Sequence, residues 1–270
     1  MISRRTVLSG LAASASAACS TRQTASPPYR YPIAPPPPDR ASLGLDAVID
    51  ISRSVDVSDF PRVRQSGILG VIHKASEGGD YADTAYAARR PQAESAGLLW
   101  GAYHFGTGQM SGDKQAAFFL AMSRPGPRTL LALDLEANEN NPSNSMSLEQ
   151  GEAFVARVAE ATGRLPVVYV HPTWANGEPL PNSGLSLGAA ITPGSILARC
   201  GLWIADYHDS PEIPLAWAAS GWRLWQYAGD ESVGRPAYGQ TTIVQGVSHC
   251  DRNLFNGDAD TLQRFWGAAS

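Results

Sequence analysis

From position 45 to the end of the chain one device recurs: a short apolar run, a gap, then another apolar run. Eight such runs, at 47–52, 69–75, 98–105, 130–136, 166–171, 202–207, 223–227 and 242–248, have the length and the β-branched or aromatic content of strands. Helical spacing fills the early gaps at 81–96, 113–122 and 147–162, the last opening on Ser147-Leu148-Glu149-Gln150, the pattern of a capping box. Strands that return in the same direction need a long crossover, so this alternation predicts parallel strands with helices outside them. The gaps at 207–223 and 227–242 are instead rich in Pro, Gly and Ser, which predicts antiparallel pairing in the last third. The expected fold is therefore α/β, an irregular TIM-like β/α barrel of about five strand–helix units closed by three antiparallel strands. A chain of 270 residues, 43% of them hydrophobic, can fill such a core.

The residues before position 45 read differently. Ser3-Arg4-Arg5-Thr6-Val7-Leu8 opens a short apolar run over 7–18, too short to span a bilayer as a mature helix, and this is the pattern of an export signal. Paired arginines resemble a twin-arginine signal, and an ordinary Sec signal also fits. Cys19 follows Ser16-Ala17-Ala18, which fits a lipoprotein site that would tether the chain to a membrane through a lipidated Cys19. A plain cut near Ala18 fits as well. Residues 25–40 are Pro-rich, ending in Pro35-Pro36-Pro37-Pro38, an extended spacer. The domain reading is an export signal at 1–26, a linker at 27–44 and a catalytic barrel at 45–270, with an exported, cell-envelope address. In that oxidising compartment Cys200 and Cys250 invite a disulfide, and whether they meet depends on strand direction. The net charge of -4 leaves no basic stripe for a nucleic-acid partner, and no His/Cys/Asp cluster has ligand spacing, so neither metal nor organic cofactor is expected.

Acids occupy the strand ends. Along Leu131-Ala132-Leu133-Asp134-Leu135-Glu136 the leucines share one face, and Ala132, Asp134 and Glu136 the other. In a barrel wall the leucines would pack under helices, leaving Asp134 and Glu136 to project inward at the carboxyl end, where barrel enzymes place their catalytic groups. Two carboxylates roughly 6–7 Å apart on one strand face repel, so one tends to keep a proton near neutrality. Asp50 shares a face with Val48 and Ser52, Glu77 closes the second strand region, and Asp251 follows the last strand. One such acid is ordinarily a turn cap; a convergent set favours a site that stabilises developing positive charge. Tyr103, Tyr169, Trp225 and Tyr227 sit at the same ends, where rings can stack on the apolar faces of sugars; core packing is their other reading.

In order along the chain, Ile49-Asp50-Ile51-Ser52, Lys74-Ala75-Ser76-Glu77-Gly78, Gly101-Ala102-Tyr103-His104-Phe105, Leu133-Asp134-Leu135-Glu136, Leu202-Trp203-Ile204-Ala205, Trp225-Gln226-Tyr227 and Asp251-Arg252-Asn253-Leu254-Phe255 together resemble the family 25 glycoside hydrolases, the Chalaropsis-type lysozymes. The resemblance implies a monomeric N-acetylmuramidase acting on peptidoglycan glycan strands. It would cleave the β-1,4 bond between N-acetylmuramic acid and N-acetylglucosamine with retention. Glu136 would be the proton donor, Asp134 its partner, and Asp50 and Asp251 the other acids lining the cleft. The nucleophile stays open between the substrate's acetamido oxygen, oriented by Asp134, and a direct carboxylate. Asp206 and Arg252 depart from the family pattern and are expected to bear on substrate preference or pH optimum. A chitinase-like barrel also ends a strand in Asp-x-Glu but carries a further aspartate where this chain has Ala132. The alternative of another class is a peptidoglycan-binding envelope protein that kept the cleft and lost turnover.

Overall fold

The computed structural model describes residues 43–229 and 243–268. The export signal expected at 1–26 and the Pro-rich segment that follows it lie outside the described residues. The strands are β1 (Leu45–Ile51), β2 (Gly70–Glu77), β3 (Tyr81–Ala82), β4 (Leu99–Phe105), β5 (Leu130–Asp134), β6 (Val167–Val170), β7 (Leu202–Ala205), β8 (Trp222–Ala228) and β9 (Asp251–Phe255). The helices are α1 (Phe60–Gln65), α2 (Tyr86–Ser95), α3 (Gly112–Ser123), α4 (Leu148–Thr162), α5 (Pro172–Ala175) and α6 (Ala259–Ala268). Strands β1, β2, β4, β5, β6, β7, β8 and β9 pair in that order, and β9 returns to β1, closing an eight-stranded mixed barrel. The α/β barrel expected from the sequence is the fold observed.

Strand alternation sorts the side chains into two layers. Val48, Ile72, Leu130, Ala132, Val167, Trp203, Leu224 and Phe255 fill the barrel interior. Ile49, Val71, Leu131, Leu133, Val168, Ile204 and Leu254 face out into the packing beneath helices and loops. The leucines of β5 do pack under a helix: Leu133 and Leu135 lie against Gly151 of α4. That helix begins as its sequence foretold. The Gln150 amide N–H donates to Ser147 Oγ at 3.2 Å, and Gln150 Oε1 accepts from the Ser147 backbone N–H at 2.9 Å.

Three expectations need correction. The closing strands are not a three-stranded antiparallel meander: β7 and β8 are parallel, and β9 alone runs the other way. The segment between β7 and β8 lacks a helical period yet serves as a crossover. Its short turn of 3₁₀ helix, Leu215–Trp217, buries Trp217 completely, and the indole N–H donates to the Cys200 carbonyl at 2.9 Å. The strand expected at 242–248 is displaced to β9. Gly246, at φ +94°, turns the chain there, and its carbonyl accepts from the N–H groups of Ser58 and Asp59. Finally, the helix expected over 81–96 starts only at Tyr86, because Tyr81 pairs back onto Glu77 and the Asp83 carboxylate accepts from Ala85 N–H at 2.9 Å. Helices α1 and α6 were not expected at all.

Strand direction also settles the cysteines. Cys200 leads into the rising strand β7 and Cys250 into the falling strand β9, so they stand at opposite ends of the barrel and are not joined. Burial pushes the Cys200 thiol up to about 12.

The amino end of the barrel is stoppered by α6. Leu262 and Trp266 complete the interior cluster, and the Trp266 indole N–H donates to the Trp100 carbonyl at 2.8 Å. The indole fits because Gly70 lines the wall: a Cβ there would lie 2.6 Å from Trp266 Cη2. Overpacking of this kind typically costs about 1–3 kcal/mol. Gly70→Ala should lower unfolding free energy by about that amount in urea titrations. The loss should shrink in a Trp266→Leu background, and equal losses in both backgrounds would refute the fit.

Candidate active site

With the amino end closed, the carboxyl end of the wall is the open one. There a cleft of about 610 Å³ is lined by Phe105, Glu136, Asn138, Tyr169, His171 and Tyr207, among others. A second concavity, of about 520 Å³, lies near α6, with Arg64, Leu99 and Arg128 in its lining, and holds none of the clustered acids.

Three strands bring four acids to the mouth. Asp50 ends the inward row of β1, and across the β1–β9 pairing its register partner is Asp251. Asp134 ends β5, and Glu136 follows it at the cleft wall. Because β9 descends, Asp251 reaches the mouth as the first residue of its strand and not, as expected, beyond the end of a rising one. Tyr103, inward on β4, stands among all four. Burial first, then the charges of Asp134, Asp50, Asp251 and Glu136, hold its hydroxyl well above its usual range.

The acids differ in environment. Asp134 is 8% exposed, and burial, followed by the Glu136 charge, raises its carboxyl well above the ordinary range. Lys74 pulls the other way. Burial and mutual repulsion thus favour one proton held between the two acids, and Asp134 Oδ1 has no hydrogen-bond partner among the described residues. Asp50 is pushed up to about 6 by burial, against donors from Asn253 and Gln226. Those donors are the Asn253 amide at 2.8 Å and the Gln226 amide at 3.1 and 3.2 Å. Trp203, central in the barrel, donates its indole N–H to Asn253 Oδ1 at 2.6 Å and carries the edge of the Tyr169 ring, centroids 4.9 Å apart.

Glu77 is at the mouth as expected, but in an ion pair with Lys74 at 2.7 Å, and the Lys74 ammonium also lies over the Tyr81 and Phe105 rings. Tyr169 lines the cleft. Trp225 and Tyr227 do not: they are 0% and 1% exposed and point outward, Trp225 donating to the Asp206 carbonyl and Tyr227 to the Asp46 carboxylate. Their reading as sugar-binding rings is corrected. The inward residue of that strand is Gln226, whose Oε1 accepts from the hydroxyls of Tyr169 at 2.9 Å and Tyr207 at 2.8 Å. Counting alternate residues from Leu224 would have found it. Of the two departures from the family pattern, Arg252 faces outward and pairs with Asp46 at 2.7 Å, away from the cleft. Asp206 is part of the cleft lining though nearly buried, and its carboxylate accepts from the backbone N–H groups of His208 and Glu212.

An α/β barrel whose open end gathers paired carboxylates beside ring-lined walls has the build of an enzyme that cleaves glycosidic bonds. Comparison makes that class specific. The profile of the family described as Glycosyl hydrolases family 25 matches residues 49–235, and the chain belongs to this family and is a glycoside hydrolase. It is 31% identical to Lysozyme M1 of Streptomyces globisporus, over 79% of this chain and 69% of that one. It is 27% identical to an N,O-diacetylmuramidase of Arthroderma benhamiae, over 80% and 84%. Among solved structures, the bacterial lysozyme from Streptomyces coelicolor superimposes with a TM-score of 0.68 at 28% identity, covering 84% of this chain and 99% of that one.

Asp50 generates a pH signature. Its carboxyl titrates near 3.8 in the unfolded chain and about 6 in the fold, so the native state binds more protons between these values and loses stability as pH rises through them. His73 and His104, buried and pulled down to about 4, act in the opposite direction. The effect is therefore read as a difference. From pH 4 to pH 8, Asp50→Asn should gain on the order of 3 kcal/mol relative to the parent protein. A pH-independent difference would show that Asp50 is not a strained carboxyl.

Proposed function

We propose that this enzyme is an N-acetylmuramidase: it hydrolyses peptidoglycan at the β-1,4 bond between N-acetylmuramic acid and N-acetylglucosamine, with net retention. Donation of the substrate's acetamido N–H to Asp134 holds the group in line and favours that acid's ionised form, so the proton the pair shares lies on Glu136, which passes it to the leaving sugar oxygen as the glycosidic bond breaks. The muramic acetamido oxygen attacks the anomeric carbon from the opposite face, and water then opens the cyclised intermediate at that carbon from the vacated side, giving its proton to Glu136. The positive charge that builds on the sugar faces Asp50 and Asp251.

The observation that carries this reading is the unlike placement of two neighbouring acids, Glu136 on the cleft wall and Asp134 buried behind it, with an Oδ1 that has no partner among the described residues. A substrate N–H meeting Oδ1 would relieve a buried acceptor that otherwise costs about 1–3 kcal/mol. Tyr169 and Phe105 in the cleft lining supply rings for the sugar faces. The likeness to a lysozyme and to an N,O-diacetylmuramidase supports this reading.

The protein should release soluble fragments from purified peptidoglycan, and Glu136→Gln should abolish release. After borohydride reduction the fragments should carry muramitol; glucosaminitol in its place would sink the assignment of the bond. No release at all would favour the reading as a binding protein.

We also propose that residues 1–26 export the enzyme to the cell envelope, with Cys19 as the site of a lipid tether and 27–44 as the spacer. Replacing Arg4 and Arg5 with lysines should leave precursor in the cytoplasm, as fractionation and blotting would reveal. Normal export of that variant would rule out the twin-arginine route.

A further inference from the structure

Gln226 is 2% exposed and stands between two sets of groups. On one side its Nε2 donates to both oxygens of Asp50, at 3.2 and 3.1 Å, and reaches Asp251 Oδ2 at 3.4 Å. On the other its Oε1 accepts from the hydroxyls of Tyr169 and Tyr207. Ionised carboxylates only accept hydrogen bonds, so the amide nitrogen has to face the acids, which leaves the oxygen for the tyrosines. A flipped amide would oppose oxygen to oxygen at Asp50 and face two hydroxyls with N–H groups. Strands β1, β8 and β9 bring the amide to the acids: Gln226 is register partner to Asn253 across β8 and β9, and Asp50 to Asp251 across β1 and β9.

We propose that Gln226 is a positioning residue of the hydrolytic reaction, which holds Asp50 and Asp251 as an oriented carboxylate pair and fixes the Tyr169 and Tyr207 hydroxyls at the cleft wall. The inference rests on the reading of the cleft as a glycan-cleaving site. Burial and the Glu136 charge drive Asp50 toward its neutral form, and the Gln226 and Asn253 donors oppose them. Without Gln226 the acid would hold its proton to higher pH, and the cleft would present less negative charge to the developing cation. The tyrosines, losing a shared acceptor, would no longer be held together.

The test uses the full chain carrying Gln226→Leu or Gln226→Glu, with kcat and KM on soluble glycan fragments measured across pH. Gln226→Leu should lose activity on the order of 100-fold at neutral pH, mostly in kcat, the scale of removing one preorganised donor. Its acidic limb should move up by about one pH unit. The carboxyl of Gln226→Glu can donate only when protonated, so its activity should recover as pH falls. Uniform losses with unshifted profiles in both variants would overturn the proposal.

A second readout needs no turnover. The stability of Gln226→Leu relative to the parent should fall as pH rises past about 6, and this dependence should vanish in an Asp50→Asn background. If the parent protein cleaves no glycan, the hydrolase reading falls and this arm decides alone. Diverging curves sustain the coupling of Gln226 to Asp50, and parallel curves refute it.

Discussion

The reversal of a single strand organises this molecule. Seven strands of the barrel run the same way; β9, inserted between β8 and β1, runs against them. The reversal carries the first residue of β9 to the open end, so Asp251 meets Asp50 and Asn253 meets Gln226 in register. Neither pairing would arise from a rising strand entered from the closed end. From these two contacts follow the amide donors on Asp50, the tether from the Trp203 indole through Asn253, and the tyrosine hydroxyls gathered on Gln226.

The site lives close to an electrostatic limit. Desolvating a carboxylate is costly, and acids crowded into one mouth add mutual repulsion. The structure meets that cost unevenly. Asp50 receives amide donors and stays near the edge of ionisation, whereas Asp134 receives little compensation and is pushed further toward its neutral form. Lys74, half-buried against aromatic rings and paired with Glu77, supplies a cation whose field reaches Asp134. Two adjacent acids thereby cannot both ionise freely, and the proton they hold between them is what general acid chemistry requires.

Much of this was legible in the sequence because strand alternation is a local rule. The inward acids of β1 and β5, the outward leucines beneath α4 and the Ser147–Gln150 cap all follow from residue spacing within one element. What spacing could not convey was direction. The Thr-Thr-Ile-Val run at 241–244 has the composition of a strand, but Gly246 turns the chain, and the pairing partner of β1 begins only at Asp251. Trp225 and Tyr227 misled for a related reason: aromatic side chains suit a sugar site and an outer core equally, and the parity of the strand, set by Leu224 facing inward, decides between them. Lys74 escaped notice because its importance comes from a strand two places away, Asp134 on β5.

The stopper formed by α6 gives the barrel the topology of a cup. With Trp266 lodged against Gly70 and Trp100, a long polymer cannot thread from one end to the other. Whatever meets the acids must therefore come to them, and leave them, by the one open face.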